Sequence, residues 1–171
     1  MSSDKIIEII PIDPLSDSDL TLLSDMAAKI WSEHYNDILS HEQIKYMIDK
    51  YQSYNAIKKQ IISDNYQYFF IKYNDNYAGY FSIHIEDNTL FLSKLYIDKD
   101  YRKKGLSSAV LKFLKVICTK NNLTKIWLTV NRNNTDSISV YKHLGFYKEK
   151  ESVSDIGSGF VMDDFIMAIN I

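Results

Sequence analysis

The sequence has few of the residues that cross-link or stiffen a chain, with one cysteine, two prolines and five glycines among 171 residues. The single cysteine, Cys118, excludes an intramolecular disulfide and a cysteine-based metal cluster, and it fits a reducing compartment. No apolar run approaches the roughly 18–20 residues that span a bilayer. Residues Met1–Lys5 are polar and lack the basic-then-apolar order of a signal peptide. These absences predict a cytoplasmic protein with no membrane partner.

The sequence also lacks a strong excess of either charge, because its net charge is −2 at neutral pH. Nucleic acid is therefore not an expected partner. The four histidines, His34, His41, His84 and His143, have no ligand spacing among them, so no metal site is predicted. An apolar fraction of 46% and a charged fraction of 25% are typical of a globular protein. The length predicts one domain over residues 1–171.

The spacing of apolar residues changes along the chain between strand-like alternation and helical periodicity. The resulting order is a strand, two or three helices, three antiparallel strands, a helix, a strand, a helix and two strands, which is a mixed α/β layered fold. The predicted strands are Ile6–Ile12, Tyr66–Tyr73, Tyr77–Glu86, Thr89–Ile97, Lys125–Val130, Phe146–Val153 and Phe160–Ile169. The predicted helices begin at Ser16 or Ser18, at Ser40, at Tyr54, near Leu106 and at Thr135.

Between the last two predicted strands, residues Ser154–Gly159 are rich in glycine and serine and are predicted to form a loop. Turn residues Asn74, Asp75 and Asn76 predict a hairpin between the second and third strands. Gly145 is expected to cap the last helix.

The segment Leu95–Val110 predicts an anion-binding site. A strand ends, a short charged turn follows, and a helix begins next to Gly105. The first turn of a helix presents unpaired backbone N–H groups at the positive end of its dipole, and glycine permits close approach of a ligand. Arg102, Lys103 and Lys104 add cations, and Ser107 and Ser108 add small hydroxyl groups. The alternative is a solvated basic first turn, which the helix dipole disfavours.

The same residues resemble a known sequence motif. Leu95–Ser107 looks like motif A of the GNAT superfamily of acyl-CoA-dependent N-acetyltransferases, although Ser107 stands where that family usually has glycine or alanine. The resemblance implies that the strand before the loop bonds the pantetheine arm of coenzyme A and that the loop holds its pyrophosphate. The implied cofactor-binding residues are Leu95, Tyr96, Ile97, Arg102, Lys103, Lys104, Gly105, Leu106, Ser107 and Ser108.

A second segment, Trp127–Phe146, resembles motif B of the same family, which has a strand, an asparagine, a helix carrying a tyrosine, and Gly-Phe. The resemblance implies that Asn134 contacts the cofactor. It also implies that the Tyr141 hydroxyl lies near the thioester sulfur and protonates the leaving thiolate. The alternative for Tyr141 is a core aromatic residue on a helix.

Together the two motifs imply a GNAT-like fold over nearly the whole chain. Its mostly antiparallel, twisted sheet of about seven strands is splayed in the middle and flanked by four or five helices. The implied activity is transfer of the acetyl group of acetyl-CoA to a primary amine, by direct attack through a tetrahedral intermediate. A backbone N–H of Tyr96 or Ile97 is expected to stabilise the oxyanion.

The general base is not identified by the resemblance. The two common positions for a carboxylate correspond here to Ser93 and Thr129, and neither is acidic. The base is therefore relayed through water or supplied from elsewhere, with His84, Glu86 and Asp37 among the candidates.

The acceptor site is expected around Trp31, Glu33, His34 and Tyr35, with His84 as a further candidate. Aromatic rings and a carboxylate suit a cationic amine. The tail Phe160–Met167 is similar to bacterial polyamine acetyltransferases of the spermidine/spermine type, although Asp163 and Asp164 are interpreted here as a solvated strand start. A small amine or polyamine is the favoured acceptor. The alternatives are a protein N-terminus or lysine, and a non-catalytic acyl-CoA sensor.

Two features stay without a firm assignment. Exposed aromatic residues such as Phe69, Tyr77 or Phe160 are candidates for a homodimer interface. Arg132, one of only two arginines in the chain, has no predicted role.

Overall fold

The computed structural model describes residues 4–171, and within this range the chain forms seven strands and five α-helices. This architecture confirms the predicted mixed α/β fold. The strands are β1 (Ile7–Pro11), β2 (Gln67–Tyr73), β3 (Asn76–Glu86), β4 (Thr89–Ile97), β5 (Lys125–Asn131), β6 (Tyr147–Gly157) and β7 (Phe160–Asn170). The helices are α1 (Asp17–Tyr35), α2 (His41–Met47), α3 (Tyr54–Ile62), α4 (Leu106–Lys120) and α5 (Thr135–His143).

The seven strands form one sheet in the order β1-β2-β3-β4-β5-β7-β6. The pairs β1–β2, β2–β3, β5–β7 and β6–β7 are antiparallel, and β4–β5 is parallel. The register between β4 and β5 covers only three residue pairs, from Thr89↔Lys125 to Phe91↔Trp127. The short ladder in the centre of the sheet agrees with the predicted splay.

The chain forms two compact units. The first contains the described residues up to His84 together with Lys94–Val110, and the second contains Ile85–Ser93 and Leu111–Ile171. The core of the first unit is built from α1 and α3 packed on β2 and β3. Its buried members are Ile12, Leu20, Leu23, Ala27, Ile30, Ile57, Tyr68, Phe70 and Tyr80.

The second unit has buried apolar residues of its own on β4, α4, β5 and β7. Its fully or nearly fully buried side chains include Leu90, Leu114, Cys118, Ile126, Leu128, Met167 and Ala168.

Short polar side chains begin four of the helices. Ser16, Ser40 and Ser53 accept hydrogen bonds from the third residue beyond them, and Asn134 does the same for α5. The structure therefore selects Ser16 over Ser18 for α1. Beyond α2 the helix continues as a π-helical turn, Ile48–Gln52, which periodicity did not predict.

The hairpin turns follow from residues that tolerate positive φ. Asn74 and Asp75 have φ of 46° and 68°, as a two-residue turn with matched twist requires. The predicted loop Ser154–Gly159 is wrong, because β6 continues to Gly157 and only Ser158 and Gly159 form the turn.

Pro11 is the last residue of β1, an edge strand paired only with β2. An edge position tolerates the missing N–H of proline.

The proposed interface residue Phe69 is buried rather than exposed. It is 6% accessible and stacks on Phe81 with ring centroids 4.8 Å apart. Tyr77 is exposed, and Phe160 is half-buried.

Among residues 4–171, the helices are too short or too polar to cross a bilayer.

Candidate functional site

The turn that leads from β4 into α4 is held by Asp98. Its buried carboxylate lies 2.7 Å from Lys29 Nζ and also accepts a hydrogen bond from the Asp100 amide at 3.1 Å. The Asp98 amide donates to the carbonyl of Ala78 on β3. The loop that follows therefore starts from a fixed point.

The loop itself consists of exposed residues with unusual backbone angles. Lys103 and Gly105 have φ of 59° and 84°. A Cβ on Gly105 would meet nothing within 4 Å, so the loop faces open space there. Arg102 Nε donates to the carbonyl of Ile97 at 3.4 Å, and Lys104 Nζ lies 5.5 Å from the Tyr73 ring centroid. The three cations thus stand at the surface around one turn.

Helix α4 starts without a side-chain cap, since Gly105 has no side chain. The first hydrogen bond across this turn runs from the Ala109 amide to the Gly105 carbonyl at 3.1 Å. The amides of Leu106, Ser107 and Ser108 therefore have no acceptor within the helix. Leu106 is buried and anchors the turn, Ser107 is half-buried, and Ser108 is exposed. Unpaired amides, a positive dipole end and three cations fit a pyrophosphate group.

The end of β4 provides an extended backbone next to this loop. Leu95, Tyr96 and Ile97 are half-buried, and Gly79 of β3 packs directly against them. A Cβ at position 79 would collide with the carbonyl oxygen of Tyr96, so only glycine permits this approach. The strand that the resemblance assigns to pantetheine is thus held from one side by β3.

Aromatic residues of α1 gather over Tyr96. The Trp31 and Tyr96 ring centroids are 5.2 Å apart, and those of His34 and Tyr96 are 5.8 Å apart. The Tyr35 and Tyr96 hydroxyls are hydrogen-bonded at 2.9 Å. Three of the predicted acceptor residues are therefore brought together against the predicted cofactor strand.

Trp31 is nevertheless a core residue. It is 4% accessible, and its indole N–H donates to the Tyr80 hydroxyl, which in turn donates to Gln52 Oε1. Burial raises the pKa of Tyr80 well above its ordinary value. This arrangement favours a structural role for Trp31 in the floor of the aromatic cluster.

The other two predicted acceptor residues differ in setting. Glu33 is exposed, and its carboxylate lies 3.8 Å from Lys99 Nζ. His84 lies instead against Tyr66, with ring centroids 4.8 Å apart. His84 is therefore not a member of the cluster around Tyr96.

Sequence reasoning missed Lys94, the residue before the predicted cofactor strand. It is 9% accessible, and its Nζ donates to Gln60 Oε1 at 3.0 Å and to the Tyr68 hydroxyl at 2.8 Å. Burial lowers the pKa of Lys94 to about 7. The only hint of this burial in the sequence is that Lys94 interrupts an apolar strand pattern. Its hydrogen-bond partners could not be predicted from that pattern.

In the second unit, Asn134 has a structural role. It is 5% accessible, and its Oδ1 accepts a hydrogen bond from the Ser137 amide at 3.3 Å. Tyr141 follows two turns later on α5. It is half-buried, and its ring meets Phe146 edge-on at 5.7 Å.

The structure explains Arg132. Its guanidinium lies 2.7 Å from Asp163 and 3.1 Å from Glu151, and over the ring of Phe165. A planar group with several donors suits two carboxylates at once. The interpretation of Asp163 and Asp164 as a solvated strand start is therefore wrong.

Asp164 belongs to a different environment from Asp163. It lies in the middle of β7, opposite Asn131 of β5, and is half-buried. Burial and the neighbouring charge of Asp163 raise the pKa of Asp164 to about 6. Among residues 4–171, no cluster of three or more histidine, cysteine or acidic side chains is arranged to hold a metal ion.

A short central ladder, an uncapped cationic helix start and a tyrosine on the next helix are the features that the resemblance ascribes to an acyl-CoA-dependent acyltransferase. The chain belongs to the acetyltransferase (GNAT) family, whose pattern matches residues 24–146. It is an N-acetyltransferase, and its acyl donor is acetyl-CoA.

Relatives of known activity are similar to different extents of the chain. A spermidine N(1)-acetyltransferase of Thermoplasma acidophilum is 27% identical over 158 residues, which are 90% of this chain and 96% of that protein. The PaiA N-acetyltransferase of the same organism, in complex with coenzyme A, superposes with a TM-score of 0.77. It is 25% identical, and the match covers 97% of this chain and 99% of that one. A [ribosomal protein bS18]-alanine N-acetyltransferase of Escherichia coli is 34% identical over 62 residues, 36% of this chain and 40% of that protein.

Proposed function

We propose that this acetyltransferase acts on the primary amine of a small molecule, with a polyamine as the favoured acceptor. The observation that carries the acyl-CoA half of the proposal is the start of α4, where unpaired amides and exposed cations surround one turn. The acceptor class is supported by the Thermoplasma spermidine acetyltransferase, which is similar over nearly its whole length.

The proposed binding roles follow the geometry of the first unit. The amides of Leu106–Ser108 and the side chains of Arg102, Lys103 and Lys104 hold the pyrophosphate. The backbone of Leu95–Ile97 bonds the pantetheine arm, and an amide of Tyr96 or Ile97 donates to the acetyl oxygen. The aromatic rings over Tyr96, with Glu33 nearby, receive the cationic acceptor.

The proposed chemical role in the second unit belongs to Tyr141. Acetyl-CoA supplies an acetyl group activated as a thioester, and the acceptor amine attacks it directly. The Tyr141 hydroxyl donates its proton to the sulfur as the C–S bond breaks. Asn134 supports this unit by starting α5, two turns before Tyr141.

A protein acceptor is the second candidate. It is favoured by the local similarity to the E. coli [ribosomal protein bS18]-alanine N-acetyltransferase. A non-catalytic acyl-CoA sensor is the remaining alternative. A cytoplasmic location, a single domain over residues 1–171 and a homodimer stay predictions.

Cofactor binding is tested by thermal unfolding with acetyl-CoA, with CoA and with ATP. A ligand at about a hundred times its dissociation constant adds about 2.7 kcal/mol, which raises Tm by several degrees. We expect a rise with acetyl-CoA and CoA but not with ATP. No rise with acetyl-CoA would contradict the site at Gly105.

Acceptor class is tested by release of free thiol from acetyl-CoA in the presence of spermidine or of a tripeptide with N-terminal alanine. Turnover with spermidine supports the first candidate, and turnover only with the peptide supports the second. Binding of acetyl-CoA without turnover of either amine supports the sensor.

The role of Tyr141 is tested with Tyr141→Phe. Loss of a general acid lowers turnover about 10²- to 10⁴-fold, and affinity for acetyl-CoA should change little. Tyr147→Phe is the matched control, since Tyr147 is an exposed tyrosine on β6 whose hydroxyl donates to Asn170 Oδ1 at 3.4 Å. Wild-type turnover in Tyr141→Phe would mean that another group protonates the thiolate.

A further inference from the structure

Strand β5 has one open edge in the second unit. Its ladder with β4 ends at Phe91↔Trp127, whereas its ladder with β7 continues from Lys125 to Asn131. The exposed Thr129 stands on the stretch of β5 beyond that ladder. Backbone groups on this stretch are therefore available to a ligand on the side away from β7.

The register places one carboxylate on the same face of the sheet as Thr129. Thr129 lies opposite Ile166, and Asn131 lies opposite Asp164. Because residues i and i+2 share a face and opposed residues share that face too, Thr129, Asn131 and Asp164 lie on one side. Diagonal neighbours such as Thr129 and Asp164 are about 7–8 Å apart, which one amine group and its hydrogen bonds can bridge.

Asp164 is not neutralised by the nearby cations. Arg132 and Lys148 both lie over the ring of Phe165, and Phe165 projects from the opposite face of β7. The carboxylates that pair with Arg132 are Asp163 and Glu151. The arginine network therefore serves the other face.

One oxygen of Asp164 is buried without a hydrogen bond. Oδ1 has no hydrogen-bond partner within the described residues, although a buried carboxylate oxygen ordinarily accepts one. The residues that face it are Asn131 from β5 and Ser152 from β6, with Lys150 one step further along β6 and exposed. Asn131 Oδ1 is itself used by the Asn133 amide at 2.9 Å. Oδ1 is enclosed, whereas Asp164 as a whole is half-buried, and no donor from the described residues neutralises its carboxylate on this face.

The first unit contains a contrasting buried group. Lys94 Nζ already donates to Gln60 and Tyr68. A group whose hydrogen bonds are made inside the fold is suited to holding α3 against β2. A carboxylate with an unpaired buried oxygen is suited to a ligand.

We propose that Asp164 is the general base, whose carboxylate accepts the proton of the acceptor's ammonium group. This inference rests on the proposed amine acetylation. It supplies from β7 the carboxylate that neither Ser93 nor Thr129 provides.

The proton movements balance with this assignment. The acceptor enters as R–NH3+, and Asp164 takes one proton to leave the neutral amine. The nitrogen lone pair forms the C–N bond to the acetyl carbon, and the C–S bond breaks. The nitrogen loses a second proton to solvent, while the sulfur gains one from Tyr141, which is reprotonated by solvent. Asp164 then releases its proton, so each turnover yields the amide, the thiol and one proton.

The test compares Asp164→Asn with Asp163→Asn, a change of the same chemistry one residue away on the opposite face. The probe is spermidine, with the alanine tripeptide as a second amine, and kcat/KM is measured between pH 5 and 8. The wild-type value should rise with pH around an apparent pKa near 6, the value to which burial and Asp163 raise the pKa of Asp164. Asp164→Asn should lower kcat/KM about 10²-fold or more and abolish this rise.

Asp163→Asn should retain most of the activity. In this variant the rise of kcat/KM with pH should move to lower pH, because the charge of Asp163 is one cause of the raised pKa of Asp164. Asp164→Glu should recover part of the rise of kcat/KM with pH. A purely structural role for Asp164 would not predict this recovery.

Stability provides a separate readout. The folded pKa of Asp164 is raised from 3.8, so its ionised form is disfavoured by folding, and its contribution to stability declines as pH rises from about 4 to 6. Asp164→Asn should therefore be at least as stable as the wild type at pH 7, with the same Tm rise on adding acetyl-CoA.

The outcomes are distinct. Wild-type kcat/KM and pH profile in Asp164→Asn would overturn the assignment of the base and leave the proposed function standing. No turnover of either amine by the wild-type protein would overturn both. Equal losses in Asp163→Asn and Asp164→Asn would also overturn the assignment, since only Asp164 lies on the same face of the sheet as Thr129.

Discussion

Helices α4 and α5 each follow a strand of the sheet, but they begin in opposite ways. At α5, the Asn134 side chain accepts a backbone N–H and Asp136 lies in the first turn. At α4, Gly105 offers no side chain, the first turn has no acidic residue, and three cations precede it. The start of α5 is satisfied by its own residues, whereas the start of α4 leaves its first amides without an acceptor from the helix.

The two helix starts differ in their electrostatic cost. Negative charge at a helix start stabilises the dipole and positive charge opposes it, by about 0.3–1 kcal/mol for each group. The chain accepts this cost at α4, and the loop that bears it is held by Asp98 and Lys29. Helix α5 has no such electrostatic cost, because its first turn contains the acidic Asp136. The two helix starts therefore differ in their electrostatics although both lie in segments that resemble cofactor motifs, and the proposed function assigns the anion to α4 alone.

The largest expected effect is that of Gly105→Glu, which puts a carboxylate where the pyrophosphate is proposed to lie. Affinity for acetyl-CoA should fall at least about 100-fold, equivalent to roughly 2.7 kcal/mol. Gly159→Glu is the control, since Gly159 also has positive φ, 82° against 84°, and open space around its Cβ. Calorimetric titration with acetyl-CoA measures both variants. Equal losses would attribute the effect to backbone strain, and no loss in Gly105→Glu would remove the distinction between α4 and α5.

An intermediate effect is expected from Asn134→Ala, which removes the cap of α5. The free energy of unfolding should fall by about 1 kcal/mol, measured by urea denaturation. Asn134→Ser keeps a capping oxygen and should lose only a few tenths of a kcal/mol. If Asn134→Ser also weakens acetyl-CoA binding, Asn134 touches the cofactor in addition to its role as a cap.

The smallest effect is expected from Lys103→Asn, which removes one cation while keeping a residue that tolerates positive φ. Affinity for acetyl-CoA should fall about two- to fivefold at low salt, and the difference should shrink as salt screens the charge. Lys120→Asn makes the same charge change at the other end of α4 and should leave the affinity unchanged. A similar loss in Lys120→Asn would point to net charge rather than to the loop.

Local sequence patterns predicted the helices and strands that are bounded by capping or turn residues. The start of α3 and both bounds of β4 coincide with the sequence prediction, because Ser53 caps α3 and turn residues flank β4. The extension of β6 through Ser154–Gly157 was not predictable from composition. Pairing with β7 overrides the low strand propensity of serine and glycine there.

The candidate site likewise contains residues that local sequence patterns predict and residues that they do not. The loop Arg102–Ser108 is contiguous, so its charges, glycine and helix start are visible in the sequence together. Arg132 meets Glu151 and Asp163, which are 19 and 31 residues away, and Lys94 meets Gln60 and Tyr68. Such partners depend on strand register, which no local pattern specifies. The burial of Phe69 depends likewise on stacking against Phe81.

By itself, the sequence determined the order of strands and helices, the family and the cationic loop before α4, because each of these depends on residues close together in the chain. Tertiary structure alone decided that Asp163 and Asp164 face opposite sides of β7 with different partners. It also decided that Trp31 belongs to the core and that Asn134 caps a helix. The reason is that burial and hydrogen bonding depend on which strands pair and in which register, and a shift of one residue would exchange the two faces.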